Sequence, residues 1–144
     1  MKLLKRSILI FSVSILLFSF ITACSPDESN ELQGGVLAEF EVVGDTFKVW
    51  VTNPDTIQQL YDLQDGVSQA NIPNGRIHHG PGQADHNEPW SWHLDPQDIE
   101  MAEMTIELCD GALWFIEEEI DYFVETVQRF CPWEASLVSL EDYR

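Results

Sequence analysis

An apolar run that ends at a cysteine limits how much of this chain is free to fold as a globular unit. Lys2, Lys5 and Arg6 lead into an uncharged apolar and serine stretch from Ser7 to Phe20, and Ile21-Thr22-Ala23-Cys24 closes it. A basic start, an apolar centre and small residues at the exit, in that order, make residues 1–23 an export signal. The stretch is nearly long enough to span a bilayer as one helix, but a spanning helix gives no reason to stop at a cysteine. Residues 24–35 are polar and acidic and end in two glycines, the composition of a flexible tether. That leaves 36–144 for a single domain, because no internal repeat and no second linker divides it. A domain of about a hundred residues builds one modest core.

Ile-Thr-Ala-Cys resembles the lipobox of bacterial lipoproteins, which implies that Cys24 becomes a lipidated amino terminus on the extracytoplasmic side of a membrane. Removing the signal takes Lys2, Lys5 and Arg6 from the seven Lys/Arg and none of the 25 Asp/Glu, leaving four against 25, a net charge of −21. Nucleic acid is excluded as a partner, because its affinity comes from Lys/Arg on phosphates. Anionic headgroups repel the mature domain too, so attachment to the membrane falls to the acyl chains. Cations, basic peptides and neutral glycans suit the surface charge. With Cys24 lipidated, Cys109 and Cys131 are an even pair in an oxidising compartment. They are expected to form a disulfide worth about 3 kcal/mol in the chain-entropy account. The competing reading, a two-thiol metal or redox site, lacks Cys-x-x-Cys or zinc-framework spacing.

Within the domain, Val36 to Val43 and Thr46 to Thr52 are strand-forming runs joined at Gly44-Asp45. Phe47, Val49 and Val51 alternate with Thr46, Lys48 and Trp50, which predicts a β-hairpin with Trp50 on the face opposite the apolar row. Asn53-Pro54-Asp55 stops the strand and starts a short helix carrying Ile57, Leu60 and Tyr61, with Gly66 as its cap. Val67 to Pro73 reads as loop, with Ala70 to Ile72 as an alternative strand start, and Asn74-Gly75 reads as a turn. Arg76 to His79 and Trp90 to Leu94 then predict two strands around a long mobile loop, Gly80 to Pro89. Met101 to Cys109 alternates Met104, Ile106 and Leu108 with Glu103, Thr105 and Glu107, the pattern of a strand near the centre of a sheet, with a helix as the alternative reading. Ala112 to Phe130 sets Leu113, Ile116, Ile120, Phe123 and Val127 at helical spacing against Glu117, Glu118, Glu119, Asp121 and Glu125, and so predicts one long amphipathic helix. Ala135 to Leu140 supplies a last strand, tied by the disulfide to the Met101–Cys109 strand. The expected fold is α+β, a single small domain with an antiparallel sheet packed against two helices.

The chemistry-bearing residues gather between Arg76 and Pro96. His78, His79, His86 and His93 lie among Asp85, Glu88 and Asp95, and neutral imidazole with carboxylate is what zinc, nickel or copper binds. The candidate metal set is His78, His79, Asp85, His86 and Glu88, with His78 and His93 facing each other across the hairpin. Its spacing matches no His-Glu-x-x-His signature, and histidines on exposed loops need no ligand. Trp90, Trp92, His93 and Arg76 form the candidate binding set, since tryptophan beside polar groups suits sugar or peptide recognition. Core packing is the commoner fate of tryptophans at strand spacing. Glu117-Glu118-Glu119 lacks the oxygen-rich loop that calcium takes. No Gly-x-Ser-x-Gly elbow, nucleophile–base pair or phosphate-cradling glycine loop occurs. No catalytic residue and no cofactor is therefore expected, a divalent metal being the alternative.

The segments TNPDTIQQLYDL, NGRI, PWSWHLDP, IELCDG and CPWEASLVSLE, in this order, are similar to a family of small secreted domains labelled calmodulin-binding protein, after the amino-terminal domain of a larger eukaryotic protein. The resemblance spans about Phe40 to Glu141, and WSWHLDP and CPW are its most specific pieces. It implies a compact α+β domain with Cys109 and Cys131 paired, and it supplies no catalytic or ligand residue. Calmodulin is acidic and grips basic amphipathic helices, so the acid-rich 112–130 segment, with Arg129 its one arginine, argues against calmodulin as the partner. The expected function is a lipid-anchored extracytoplasmic domain that binds a protein or glycan at the cell envelope. The alternative is a metal-binding protein or metal-dependent hydrolase using the His-rich loop.

Overall fold

The computed structural model describes residues 31–144; the export signal, Cys24 and tether residues 25–30 lie outside the described residues. Alternation folds Val36–Val42 (β1) and Asp45–Val51 (β2) into an antiparallel hairpin with Ala38 opposite Val49 and Phe40 opposite Phe47. The turn is Val43-Gly44, one residue ahead of the expected Gly44-Asp45. Both residues have positive φ (53° and 90°), as a two-residue hairpin turn requires. Asn53 then caps the helix Pro54–Gln64 (α1), its side chain accepting from Asp55 N–H at 3.0 Å. Ile57 and Leu60 enter the core from it.

Asn74-Gly75 is not a turn. Both residues lie inside a continuous strand, Ile72–His79 (β3), and the glycine is needed there for space. A Cβ at Gly75 would sit 2.9 Å from Ile99 Cγ1 and 3.2 Å from Leu94 Cδ1. Trp92–Leu94 (β4) pairs antiparallel with the end of β3, and Glu100–Ala102 (β5) with its start. The strand expected from Met101 to Cys109 therefore stops at Ala102. Ala102 faces Ile72, the first residue of β3, so beyond it the register offers no partner. Residues 103–106 run on as loop and Glu107–Cys109 close in one tight helical turn.

The long helix expected over 112–130 is instead three pieces: Leu113–Glu118 (α2), Ile120–Tyr122 (α3) and a widened turn over Phe123–Val127. Glu119 breaks the first from the second (φ −111°, ψ 28°), and Gln128 turns the chain with a left-handed backbone (φ 63°). Tertiary pairing outweighs helical spacing here. Arg129–Phe130 (β6) pairs with Arg76 and Gly75 of β3, which buries Phe130. It also places the Arg129 guanidinium 2.8 Å from Asp98 Oδ2 and 2.9 Å from Asn74 Oδ1.

Ser136–Asp142 (β7) pairs with β1 and not with the 101–109 segment. The strands thus form two antiparallel sheets, β2-β1-β7 and β4-β3-β5 with β6 added on β3. The small α+β domain with antiparallel pairing and a Cys109–Cys131 disulfide agrees with expectation, the bridged Cα atoms lying 5.2 Å apart. One core joins the sheets: Phe47 lies 5.7 Å, centroid to centroid, from both Trp92 and Phe130, which meet each other at 5.2 Å. Leu60, Leu113, Ile116 and Phe123 close it. Trp50 lies outside this cluster yet is buried, meeting Tyr143 edge-on at 5.8 Å. Tyr143 also exchanges backbone hydrogen bonds with Gly34 and Gly35, each 2.9 Å, so the glycine end of the expected tether is fastened to the domain.

Candidate functional site

The β3–β4 register sets His78 directly opposite His93, with Ile77 opposite Leu94 on the alternate face. Ile77 and Leu94 are buried, which leaves the two imidazoles on the outer face, 5.6 Å apart. The connecting loop carries His86 back over them, edge-on to His93 at 6.1 Å. His93 Nδ1 donates to the Gly80 carbonyl at 2.7 Å and His86 Nδ1 to the Gln83 carbonyl at 3.0 Å. A carbonyl only accepts, so each Nδ1 carries a proton, and in the neutral form of either ring the lone pair lies on Nε2. His86 Nε2 is buried without a hydrogen-bond partner among the described residues. Burial holds the His86 pKa below its ordinary value, and the neighbouring His93 and Lys48 add to the effect, while the Gln83 carbonyl opposes it.

The other members of the expected metal set stand apart. His78 Nε2 lies 3.6 Å from Asp95 Oδ2, and His79 turns away to Asp121 at 3.5 Å. Asp85 and Glu88 are exposed. Among the described residues no three His, Cys, Asp or Glu side chains form a group that could hold a metal ion.

The Gly80–Pro89 loop is not a mobile tip. Asn87, near its end, is fully buried. Its side chain accepts from Lys48 N–H of β2 at 2.8 Å and donates to the Trp92 carbonyl at 2.7 Å. Both bonds reach strand backbone, so this residue pins the loop to both sheets. Sequence reasoning passed over it, since an asparagine beside a glutamate and a proline reads as turn chemistry; only its buried partners reveal the role. Of the expected binding set, Trp92 is fully buried in the core, which removes it from any surface. Trp90 is half-buried, its Nε1 donating to the Thr46 carbonyl at 2.8 Å. Arg76 is exposed, and its backbone N–H donates to Asp98.

A second surface, assigned to the core from its alternation, is open to solvent. Met104, Ile106 and Leu108 are 85%, 67% and 57% exposed. Because β3 begins too late to pair with this segment, its apolar row lacks the cover that a central strand would have. Trp133 flanks it, donating from Nε1 to Thr105 Oγ1 at 2.7 Å and from its backbone N–H to Asp110 Oδ1 at 2.8 Å.

Two sheets around one core, a disulfide and a surface segment hung from it define a small disulfide-tied α+β domain. A family model for the BP-74 N-terminal domain matches residues 36–144, and the chain belongs to that family. No match was found among curated proteins or among solved structures.

Proposed function

We propose that the protein is a lipid-anchored extracytoplasmic binding domain, held at the cell envelope through Cys24 and presenting the Met104–Leu108 face to a protein ligand. The observation that carries this reading is that face. Three large apolar side chains stand in solvent within a strongly acidic chain, and contiguous exposed apolar area marks interaction sites. The Arg76–Pro96 hairpin serves it less well, because His86, Asn87 and Trp92 are taken up inside the domain. Anchoring is supported by the cysteine at the end of the apolar run, and no helix among the described residues is long and apolar enough to cross a membrane.

Two experiments test the two halves of the proposal. Cys24→Ser should move the protein from the membrane pellet to the soluble fraction and abolish incorporation of labelled fatty acid; unchanged partitioning would contradict the anchor. A photo-crosslinking residue at position 106 should yield a discrete adduct in envelope membranes, weakened by Met104→Asp, and no adduct would contradict the binding face.

A second reading, metal binding, is favoured by the shared tautomer of His86 and His93. An imidazole that ligates through Nε2 donates its other N–H to a carbonyl or carboxylate, which fixes the ring, and both rings are so fixed. Calorimetric titration with zinc decides it: no heat at about tens of micromolar metal, or heat unchanged in His86→Gln/His93→Gln, removes this reading.

A further inference from the structure

We infer that the Met104–Leu108 face takes a cationic amphipathic peptide segment, one that presents apolar side chains interspersed with Lys or Arg. This rests on the binding-domain reading and names the chemistry of its partner. The face has a preformed shape. One shallow groove is lined by Met104, Ile106, Leu108 and Val127, and the next by Met104, Trp133 and Glu103. The disulfide and the two Trp133 hydrogen bonds hold the walls together, so little ordering is left for the moment of binding.

Charge selects among the occupants of such a groove. Glu103, Glu107 and Glu134 are exposed on the same two segments. The one arginine lining the groove, Arg129, is already committed to Asp98 at 2.8 Å and to Asn74. Across residues 31–144 four Lys/Arg stand against 23 Asp/Glu, the 25 of the chain less Asp27 and Glu28. The long-range field therefore draws cations and repels anions. A second copy would set Glu103, Glu107 and Glu134 against the same residues across a two-fold axis, a repulsion that costs affinity. An anionic bilayer and an acidic protein meet the same field. A basic apolar segment alone gains from both the groove and its rim.

The test uses two short synthetic peptides, alternating leucine with lysine and leucine with glutamate, titrated calorimetrically into the anchored protein in nanodiscs of neutral lipid. The leucine–lysine peptide should bind and the leucine–glutamate peptide should not. Raising salt to about 0.5 M should weaken binding severalfold, since the rim is exposed and screened. Ile106→Asp should weaken it at least about tenfold, and Glu103→Lys/Glu107→Lys should reverse the preference between peptides; all three sites are solvent-exposed, where substitution leaves folding nearly unchanged. Equal binding of both peptides, indifference to Ile106→Asp, or displacement of the peptide by self-association would overturn the inference. A position-106 adduct obtained with a partner whose contact segment is not basic would overturn the partner chemistry while leaving the binding reading in place.

Discussion

Replacing both Cys109 and Cys131 with alanine tests how the exposed face is held. The bridge spans a sequence separation of 22 residues, and closing a loop of that size is worth about 3.4 kcal/mol at 25 °C in the chain-entropy account. For a domain near a hundred residues, whose whole stability is about 5–15 kcal/mol, that is a large share. It corresponds to a fall in melting temperature of about 14–27 °C. The loss should also be uneven. Residues 103–106 have no strand partner among the described residues, and beyond the disulfide their neighbourhood is tied by Cys131 N–H on the Cys109 carbonyl at 2.8 Å and by the Trp133 bonds to Thr105 and Asp110. The β1–β2 hairpin makes none of these contacts. Urea unfolding of the double variant measures the global loss, and native-state amide exchange measures where it falls. Protection at 103–110 and 131–134 should collapse first, while β1 and β2 lose only the global increment. A loss below about 1 kcal/mol, or exchange that quickens equally across both sheets, would refute the idea that the bridge organises this face.

Asn87→Ala should destabilise by about 2–4 kcal/mol in urea unfolding, because it strands the part-buried Lys48 N–H and the buried Trp92 carbonyl. Asn87→Asp should cost more, since a carboxylate would face that carbonyl. Gly75→Ala should cost about 1–2 kcal/mol by crowding Ile99 and Leu94, whereas an open site there would tolerate alanine. For His86 the folded-state pKa is lowered, so the unfolded chain takes up the proton first. Its contribution to stability is full above about pH 6.5 and is lost as pH falls through the unfolded value towards the folded one. With chelator present, the stability difference between the native protein and His86→Gln should shrink between about pH 7 and 5; a difference independent of pH would show that the ring is not held neutral.

Much of the fold is legible where local chemistry and tertiary pairing agree. Alternation from Phe47 to Val51 makes β2, Asn53-Pro54-Asp55 starts α1, and the spacing of Arg76–His79 and Trp90–Leu94 puts His78 opposite His93. The misreadings share a cause: the deciding partner lies far away in sequence. Helical spacing across 112–130 is real, but the pairing of Phe130 with Gly75 pulls the carboxyl-terminal part into strand. Gly75 beside Asn74 mimics a turn, while its role is to admit Ile99 and Leu94. The Met104–Leu108 row carries the pattern of a half-buried strand, and although Ala70 to Ile72 offers a strand start, nothing local reveals that pairing with it ends at Ala102 and leaves the row uncovered. The same alternation conceals the candidate binding face, because it is the pattern of a strand that packs into a core. The histidines carry the more conspicuous ligand chemistry, yet His86 is buried in the domain.

The most direct test is a backbone amide shift map of the anchored protein in neutral nanodiscs, recorded as the leucine–lysine peptide is added. The largest changes are expected at residues 103–109 and 131–134, saturating together and absent with the leucine–glutamate peptide. Changes centred on His78 to Glu88, or scattered thinly over the whole acidic surface, would contradict the account.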